Sequence, residues 1–237
     1  MKKPVTLYIL LLALSIGVLF LLNLFLGSVD IPFRSIWNIL WGMDKGESVI
    51  WQNIIWKSRV PQALTAMVAG AGLAVSGLQM QTVFRNPLAG PSVLGISPGA
   101  SLGVALVVLL SGSIGGIALS RLGFMGEIAL TMAAIIGALS IMALIVYVSQ
   151  KVHGNVTLLI IGVMIGYVAN AVIGVLKFFS VEEDIRAYVI WGLGSFARVS
   201  GNQMMVFVCI MAVLLPLSFL LIKTLNLLLL GDAYARN

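Results

Sequence analysis

The sequence contains six stretches without Asp, Glu, Lys or Arg that are each long enough to cross a lipid bilayer. They are Pro4–Val29, Val60–Phe84, Asn86–Ser120, Ile128–Gln150, Val152–Leu176 and Val199–Ile222. A helix of about 20 apolar residues crosses the hydrocarbon core, and lipid requires the backbone polar groups to be paired within the segment. The pattern predicts an all-α, polytopic bundle of six transmembrane helices, with residues 1–237 as one transmembrane domain.

Composition excludes several other classes of protein. Hydrophobic residues make up 60% and charged residues 9% of the chain, whereas a soluble globular domain has about 25% charged residues. The net charge of +6 comes from scattered basic residues that form no basic stripe, so nucleic-acid binding is not expected. The single cysteine, Cys209, lies in a predicted span, and the single histidine, His153, has no carboxylate near it. We therefore expect no metal, no cofactor and no enzymatic activity in this chain.

The predicted spans contain no charged residue in their interiors. Charges inside a membrane are costly and are kept mainly for proton relays, ion pathways or substrate counter-ions. Their absence argues against a transporter driven by protons or sodium and indicates that the energy comes from elsewhere. A channel is not favoured either, because the sequence has no ring-forming acidic motif and no carbonyl-filter signature.

The orientation prediction depends on the N-terminal residues. Lys2 and Lys3 precede an apolar run that is too long for a signal-peptide core, so we interpret it as a retained first helix with a cytoplasmic N-terminus. The remaining loops do not support this choice, since six Lys and Arg residues fall on the predicted inside and eight on the outside.

The loop after the first span has its own predicted structure. Residues 30–32 resemble a helix start, and Ile36, Ile39 and Leu40 give a short apolar face flanked by Trp37 and Trp41. We expect a short helix at the membrane surface. All five tryptophans are expected near one membrane interface, as in an aromatic belt.

Small residues recur at helical contact spacing in two spans. The first set is Gly95, Gly99 and Gly103, and the second is Gly162, Gly166, Asn170 and Gly174. Such faces allow helix backbones to approach closely. Helix packing is the simpler interpretation of both sets. For the second set, Asn170 on the same face also favours an alternative, in which the face lines a transport pathway.

The segment 76–100 breaks the apolar sequence with an Asn-Pro pair and resembles a known signature. The matching residues are Ser76, Gly77, Gln81, Asn86, Pro87, Leu88, Ala89, Pro91, Leu94, Gly95, Ile96, Ser97, Gly99 and Ala100. Together they look like the motif of the permease subunits of type II ABC importers, the FecCD/BtuC-like transmembrane family. Weaker matches are Arg59-Val60-Pro61, Trp191 with Gly194-Ser195-Phe196, and Leu225–Leu228 followed by Gly231, Asp232, Ala235 and Arg236.

This resemblance implies a multi-pass permease of the cell inner membrane that works as a homodimer. Its implied partners are cytoplasmic ABC ATPase subunits, which hydrolyse the ATP, and a periplasmic or lipid-anchored substrate-binding protein. The implied cargo is a metal chelate, with iron-siderophore expected first and haem or cobalamin as alternatives. Family members usually have ten helices, so the chain is expected to represent six of ten and to be truncated after the sixth. The alternative is a non-transporting membrane scaffold or assembly partner derived from such a permease.

The resemblance also assigns roles to residues of this sequence. The fifth helix would line the pathway through Gly162, Gly166, Asn170 and Gly174, and the cytoplasmic gate would lie at Asn155 and Val156. Arg59 would pair with acidic residues of the binding protein, and Gln62 stands where a second such arginine often occurs in the family. The alternative is that Arg59 anchors the helix at the membrane interface beside Trp56. The ATPase would contact the segment Leu225, Asn226, Leu227, Leu228, Gly231 and Asp232, unless this segment is an amphipathic end on the inner leaflet.

Overall fold

The computed structural model describes residues 5–43, 46–113, 124–152 and 154–230, and every regular element in these ranges is helical. The helices are α1 (Val5–Phe25), α2 (Phe33–Leu40), α3 (Val49–Ile54), α4 (Val60–Phe84), α5 (Ile96–Ser113), α6 (Phe124–Ser149), α7 (Asn155–Phe178), α8 (Glu182–Leu193), α9 (Gly201–Phe219) and α10 (Ile222–Leu230). A π-helical turn, Ile55–Arg59, joins α3 to α4, and a 3₁₀ turn, Phe196–Arg198, precedes α9. The prediction of an all-α fold is confirmed.

Five helical segments of the described residues are long and apolar enough to cross a membrane. They are Val5–Phe25, Val49–Phe84, Met125–Ser149, Val156–Phe178 and Gly201–Phe219. The remaining predicted span, Asn86–Ser120, corresponds to α5, whose apolar part Ile96–Leu110 is shorter. The charge-free stretch is longer than the helix it contains because Pro87 and Pro91 keep the chain after α4 in turns until Ile96. Residues 114–123 lie outside the described part of the chain.

The second span begins earlier than the sequence predicted. The Arg59-Val60-Pro61 segment was expected to open this helix, but the helix already starts at Val49 and passes through the π-helical turn. Pro61 has no N–H to donate to the preceding turn, and a wider turn with longer-range hydrogen bonds accommodates such an interruption without ending the helix. Arg59 is therefore an internal residue of a long helix.

Contacts divide the chain into two compact units, and the division falls within α4. The first unit contains Met1–Gly72 and Ser195–Phe219. Its core is a cluster of buried isoleucines, Ile31, Ile36, Ile39 and Ile55. The second unit contains Leu73–Gly194 and Leu220–Asn237. It includes the segment 76–100 together with α5 to α8 and α10.

The second unit is built around α5, which packs against α6, α7 and α8. A Cβ added at Gly103 would overlap the carbonyl oxygen of Ala133, and one added at Gly137 would overlap that of Gly99. The backbones of α5 and α6 are therefore in direct contact, as the small-residue spacing predicted. The apolar core of this unit consists of Val104, Ala105, Val108, Leu109, Ala133, Ile173 and Tyr188.

Candidate functional site

The Asn-Pro break forms a hydrogen-bonded turn that ends α4. The Asn86 side-chain oxygen accepts a bond from the Leu88 N–H at 2.9 Å, and the Gln81 amide donates to the Pro87 carbonyl at 3.1 Å. Arg85 has a φ of 48°, a left-handed conformation that side chains other than glycine adopt infrequently. The polar members of the sequence motif thus determine the direction in which the chain leaves α4.

Gly95 connects this turn to α7. Its φ is 75°, and an added Cβ would lie 2.8 Å from the carbonyl oxygen of Gly162 and 3.3 Å from the backbone nitrogen of Gly166. At Gly162 an added Cβ would lie 2.9 Å from Cα of Leu94. Sequence analysis had treated Gly95 and the α7 glycines as separate stripes. The structure brings them together, because the motif backbone lies directly on the backbone of α7.

A cavity of about 280 Å³ lies beside this contact. It is lined by Ser92, Val93, Gly95, Pro98, Val163, Gly166, Tyr167 and Asn170. The lining is mainly apolar, with polar groups from Ser92, Tyr167 and Asn170. Two of the four predicted pathway residues, Gly166 and Asn170, therefore share a cavity with residues of the 76–100 segment.

The other two predicted pathway residues lie elsewhere on α7. Gly162 is buried against Leu94, whereas Gly174 is exposed and has no non-local atom within 4 Å of an added Cβ. Positions four apart on an α-helix drift by about 40° per step, so the stripe turns by about 120° between Gly162 and Gly174. Their assignment to a pathway stays a prediction.

The predicted gate residues, Asn155 and Val156, are the first two residues of α7. Gly154, with a φ of 109°, precedes the first helical residue, Asn155. Val156 is exposed. The side chain of Asn155 lies outside the described part, and a gate at these positions stays a prediction.

The predicted ATPase-coupling segment forms α10 as far as Leu230. Leu225, Leu227 and Leu228 are half-buried, whereas Asn226 is exposed. Gly231 and Asp232 lie outside the described residues. The assigned contact with an ATPase stays a prediction.

Arg85 links α10 to the motif turn, a contact that sequence analysis missed. Its Nη2 donates a hydrogen bond of 2.7 Å to the carbonyl oxygen of Leu228, in the last turn of α10. A cation at this position also interacts favourably with the negative end of the helix dipole. The available sequence signal was the isolated charge between the apolar stretches that end at Phe84 and begin at Asn86.

Arg59 is also bonded to the end of another helix. Only 5% of its surface is exposed. Its Nη1 donates to the carbonyl oxygens of Leu24, at 2.7 Å, and Phe25, at 3.1 Å, and its Nη2 donates to that of Val29, at 2.5 Å. The guanidinium therefore caps the C-terminus of α1, whose last carbonyls lack partners within the helix. The roles assigned to Arg59 from the sequence, a docking site or an interfacial anchor, stay predictions.

Arg59→Met is expected to lower the free energy of unfolding by about 2–4 kcal/mol, because it leaves buried carbonyls without their charged donor. Thermal unfolding in detergent or nanodiscs would measure the loss. Arg34→Met is the matched control, since Arg34 is an exposed arginine of α2 in the same unit. Equal melting temperatures for the two variants would contradict the capping role.

The corner between α7 and α8 is held against α5 by polar contacts. The Ser180 hydroxyl bonds to the carbonyl oxygens of Leu109, at 3.2 Å, and Leu176, at 2.6 Å. Lys177 Nζ lies 4.8 Å from the centre of the Tyr188 ring. Burial raises the pKa of the Tyr188 phenol, against the opposing effect of a hydrogen bond with Ser101. The tyrosine is therefore neutral at physiological pH.

These features define a multi-pass membrane protein of the helical permease class. Five segments long and apolar enough to cross a membrane are characteristic of this class, and non-helical backbone beside a cavity is compatible with a transporter. Residues 12–237 match the FecCD transport family. The chain belongs to this family, and the resemblance read from segment 76–100 is confirmed.

Individual relatives agree with this assignment. The chain is 35% identical over 89% of its length to the hemin transport system permease protein HmuU of Yersinia pestis. It is 36% identical over 97% of its length to the vitamin B12 import system permease protein BtuC of Serratia proteamaculans. The chain spans 59% and 62% of the lengths of these two proteins. Membership in a transport family supports the expectation that the chain is not an enzyme.

A solved structure shows the same fold. An inward-facing conformation of a metal-chelate type ABC transporter superposes with a TM-score of 0.74 and 26% sequence identity. The match covers 99% of this chain and 67% of that chain.

Proposed function

We propose that the chain forms the membrane-spanning subunit of an ATP-driven importer of metal chelates. The observation that carries the proposal is the continuous set of contacts within the second unit. Arg85 joins α10 to the motif turn, and Gly95 joins that turn to α7 at the cavity that Asn170 lines. A displacement of α10 would therefore be transmitted to the cavity through the Arg85 side chain and the backbone contact at Gly95.

Separate cytoplasmic ABC ATPase subunits would supply the energy, because the six long charge-free stretches of the sequence contain no Asp, Glu, Lys or Arg that could couple transport to an ion gradient. They would bind at α10 and at the residues that follow it, through Leu225, Leu227 and Leu228. The permease would act as a homodimer in the cell inner membrane, with a cytoplasmic N-terminus, and a substrate-binding protein would deliver the cargo.

The proposed cargo is a bulky chelate: an iron-siderophore, haem or cobalamin. The names of the relatives support the last two classes, since they refer to hemin transport and to vitamin B12 import. The cavity is mainly apolar and offers few polar groups that could fix the orientation of a cargo.

Copurification and uptake would test the proposal. The complete permease, expressed with its neighbouring genes, should retain an ABC ATPase after purification and should restore growth of a permease-deficient strain on one chelate as the sole iron source or on cobalamin. Leu227→Asp should abolish both retention and growth, because it places a charge in a half-buried apolar contact. Lys223→Gln is the control at an exposed position at the start of α10. Absence of both ATPase and uptake from the wild-type assembly would overturn the proposal.

Cysteine substitutions would test the pathway assignment in a Cys209→Ser background. Cysteines at Val163 and Asn170 should react with a membrane-impermeant thiol reagent, because both positions line the cavity. A cysteine at Ala169, which is buried on the adjacent face of α7, should remain protected. Uniform protection of all three positions would contradict a water-accessible pathway along this face.

A further inference from the structure

The short helix α2 presents two apolar faces, and only one of them is covered by the first unit. Ile36 is 0% exposed and Ile39 is 2% exposed, and both pack in the isoleucine cluster with Ile31 and Ile55. The apolar face predicted from the sequence is thus buried in protein at both of its isoleucines.

The uncovered face of α2 is an aromatic stripe formed by Phe33 and Trp37, which Trp41, the residue directly after the helix, continues. These residues are four apart, and they are 64%, 44% and 66% exposed. Their ring centres are 6.3 Å apart between Phe33 and Trp37 and 5.9 Å apart between Trp37 and Trp41. Rings at these distances pack against each other and form a continuous aromatic surface. Three neighbouring exposed aromatic side chains are unusual on a face that contacts only water.

The aromatic stripe is continuous with a membrane span. Its first member, Phe33, stacks on Phe25 with a centre-to-centre distance of 4.7 Å. Phe25 is the last residue of α1, an apolar helix with Leu24 as its one buried residue. Since α1 has the length and composition of a span, Phe25 lies where the hydrocarbon core ends. The stripe therefore starts at this level.

We propose that the aromatic stripe is a binding surface for phospholipid at the boundary between acyl chains and headgroups. Tryptophan and phenylalanine suit this layer because their rings are apolar and the indole N–H can bond to headgroups or water. Binding of lipid to the aromatic stripe would fix the depth of α2 in the membrane. Through the isoleucine cluster it would also hold the π-helical turn, where Arg59 caps α1. The proposal requires membrane embedding and does not depend on the transport function.

Fluorescence quenching by lipids would test the proposal on the complete permease in nanodiscs. One variant retains Trp41 as the only tryptophan, with the others replaced by phenylalanine, and the control retains Trp51, which packs partly buried against the isoleucine cluster. The nanodiscs contain phosphatidylcholine brominated at one of several acyl depths, and iodide serves as the aqueous quencher. We expect Trp41 to lose most of its fluorescence to the shallowest bromines and little to iodide, and Trp51 to respond weakly to both.

Two outcomes would overturn the proposal. Strong quenching of Trp41 by iodide without quenching by bromolipid would place the stripe in water. Protection from both quenchers would show that protein covers it, whether a further part of the permease, a second copy or a partner. If the variants with a single tryptophan do not fold, a nitroxide attached at Trp41→Cys in a Cys209→Ser background gives an independent measurement. Its collision rate with oxygen should then exceed that with a water-soluble nickel chelate.

Discussion

Gly95→Ala is expected to separate the motif segment from α7 and to abolish uptake by the assembled transporter. The substitution forces a side chain into a left-handed conformation and places its Cβ 2.8 Å from the carbonyl oxygen of Gly162, a backbone atom that cannot rotate away. Strain at the backbone and overpacking together cost about 3 kcal/mol or more. The yield of monodisperse protein, its melting temperature and chelate uptake would measure the effect.

Gly90→Ala is the matched control for this prediction. Gly90 belongs to the same turn segment, yet an added Cβ at this position meets no atom within 4 Å. The control should fold and transport as the wild type does. If Gly95→Ala also melts and transports normally, the proposed contact between the motif backbone and α7 is not required.

The second large effect is expected for Arg85→Gln, which should uncouple ATP hydrolysis from uptake in the complete transporter. The variant loses a charged hydrogen bond to the end of α10, and a loss of about 1.5 kcal/mol corresponds to a roughly tenfold change in the equilibrium that this contact controls. We expect uptake per ATP hydrolysed to fall about tenfold by this arithmetic, while basal ATPase activity persists. Parallel assays of chelate uptake and phosphate release in proteoliposomes would measure the ratio.

Two further variants separate coupling from stability in this experiment. Arg85→Lys keeps a cation at the end of α10 and should recover part of the ratio. Lys223→Gln removes an exposed cation from the start of α10 and should leave the ratio unchanged. A purely structural role for Arg85 would lower the melting temperature and both activities together. An unchanged ratio in Arg85→Gln would refute coupling through this contact.

The sequence predicted those features that depend on local composition. Charge-free length located the spans, and the spacing of Gly99 and Gly103 correctly indicated a close backbone contact, which α5 makes with α6. The Asn-Pro pair marked a turn because proline cannot continue a helix. These signals come from residues that are near each other in the chain, and they stand out against the continuous hydrophobic sequence of the spans.

The features that sequence analysis missed depend on distant residues. The partners of Arg59 are 30 to 35 positions away, and Arg85 and Leu228 are 143 positions apart. A buried arginine that caps a helix and an exposed arginine that binds a partner have the same sequence signal. Gly162 and Gly174 likewise share one spacing pattern, although the drift of the helix buries the first and exposes the second.

The π-helical turn fixes the number of residues between α3 and α4. A π-helical turn holds about one residue more than an α-helical turn. If the chain lost one residue between Ile55 and Arg59, the helix could continue as a regular α-helix from Val49 to Phe84. Because the lost residue would be the extra one of the turn, the parts before and after it would keep nearly the same rotational phase. The π-helical turn thus accommodates one additional residue between Ile55, which packs in the isoleucine cluster, and Arg59, which caps α1, without ending the helix.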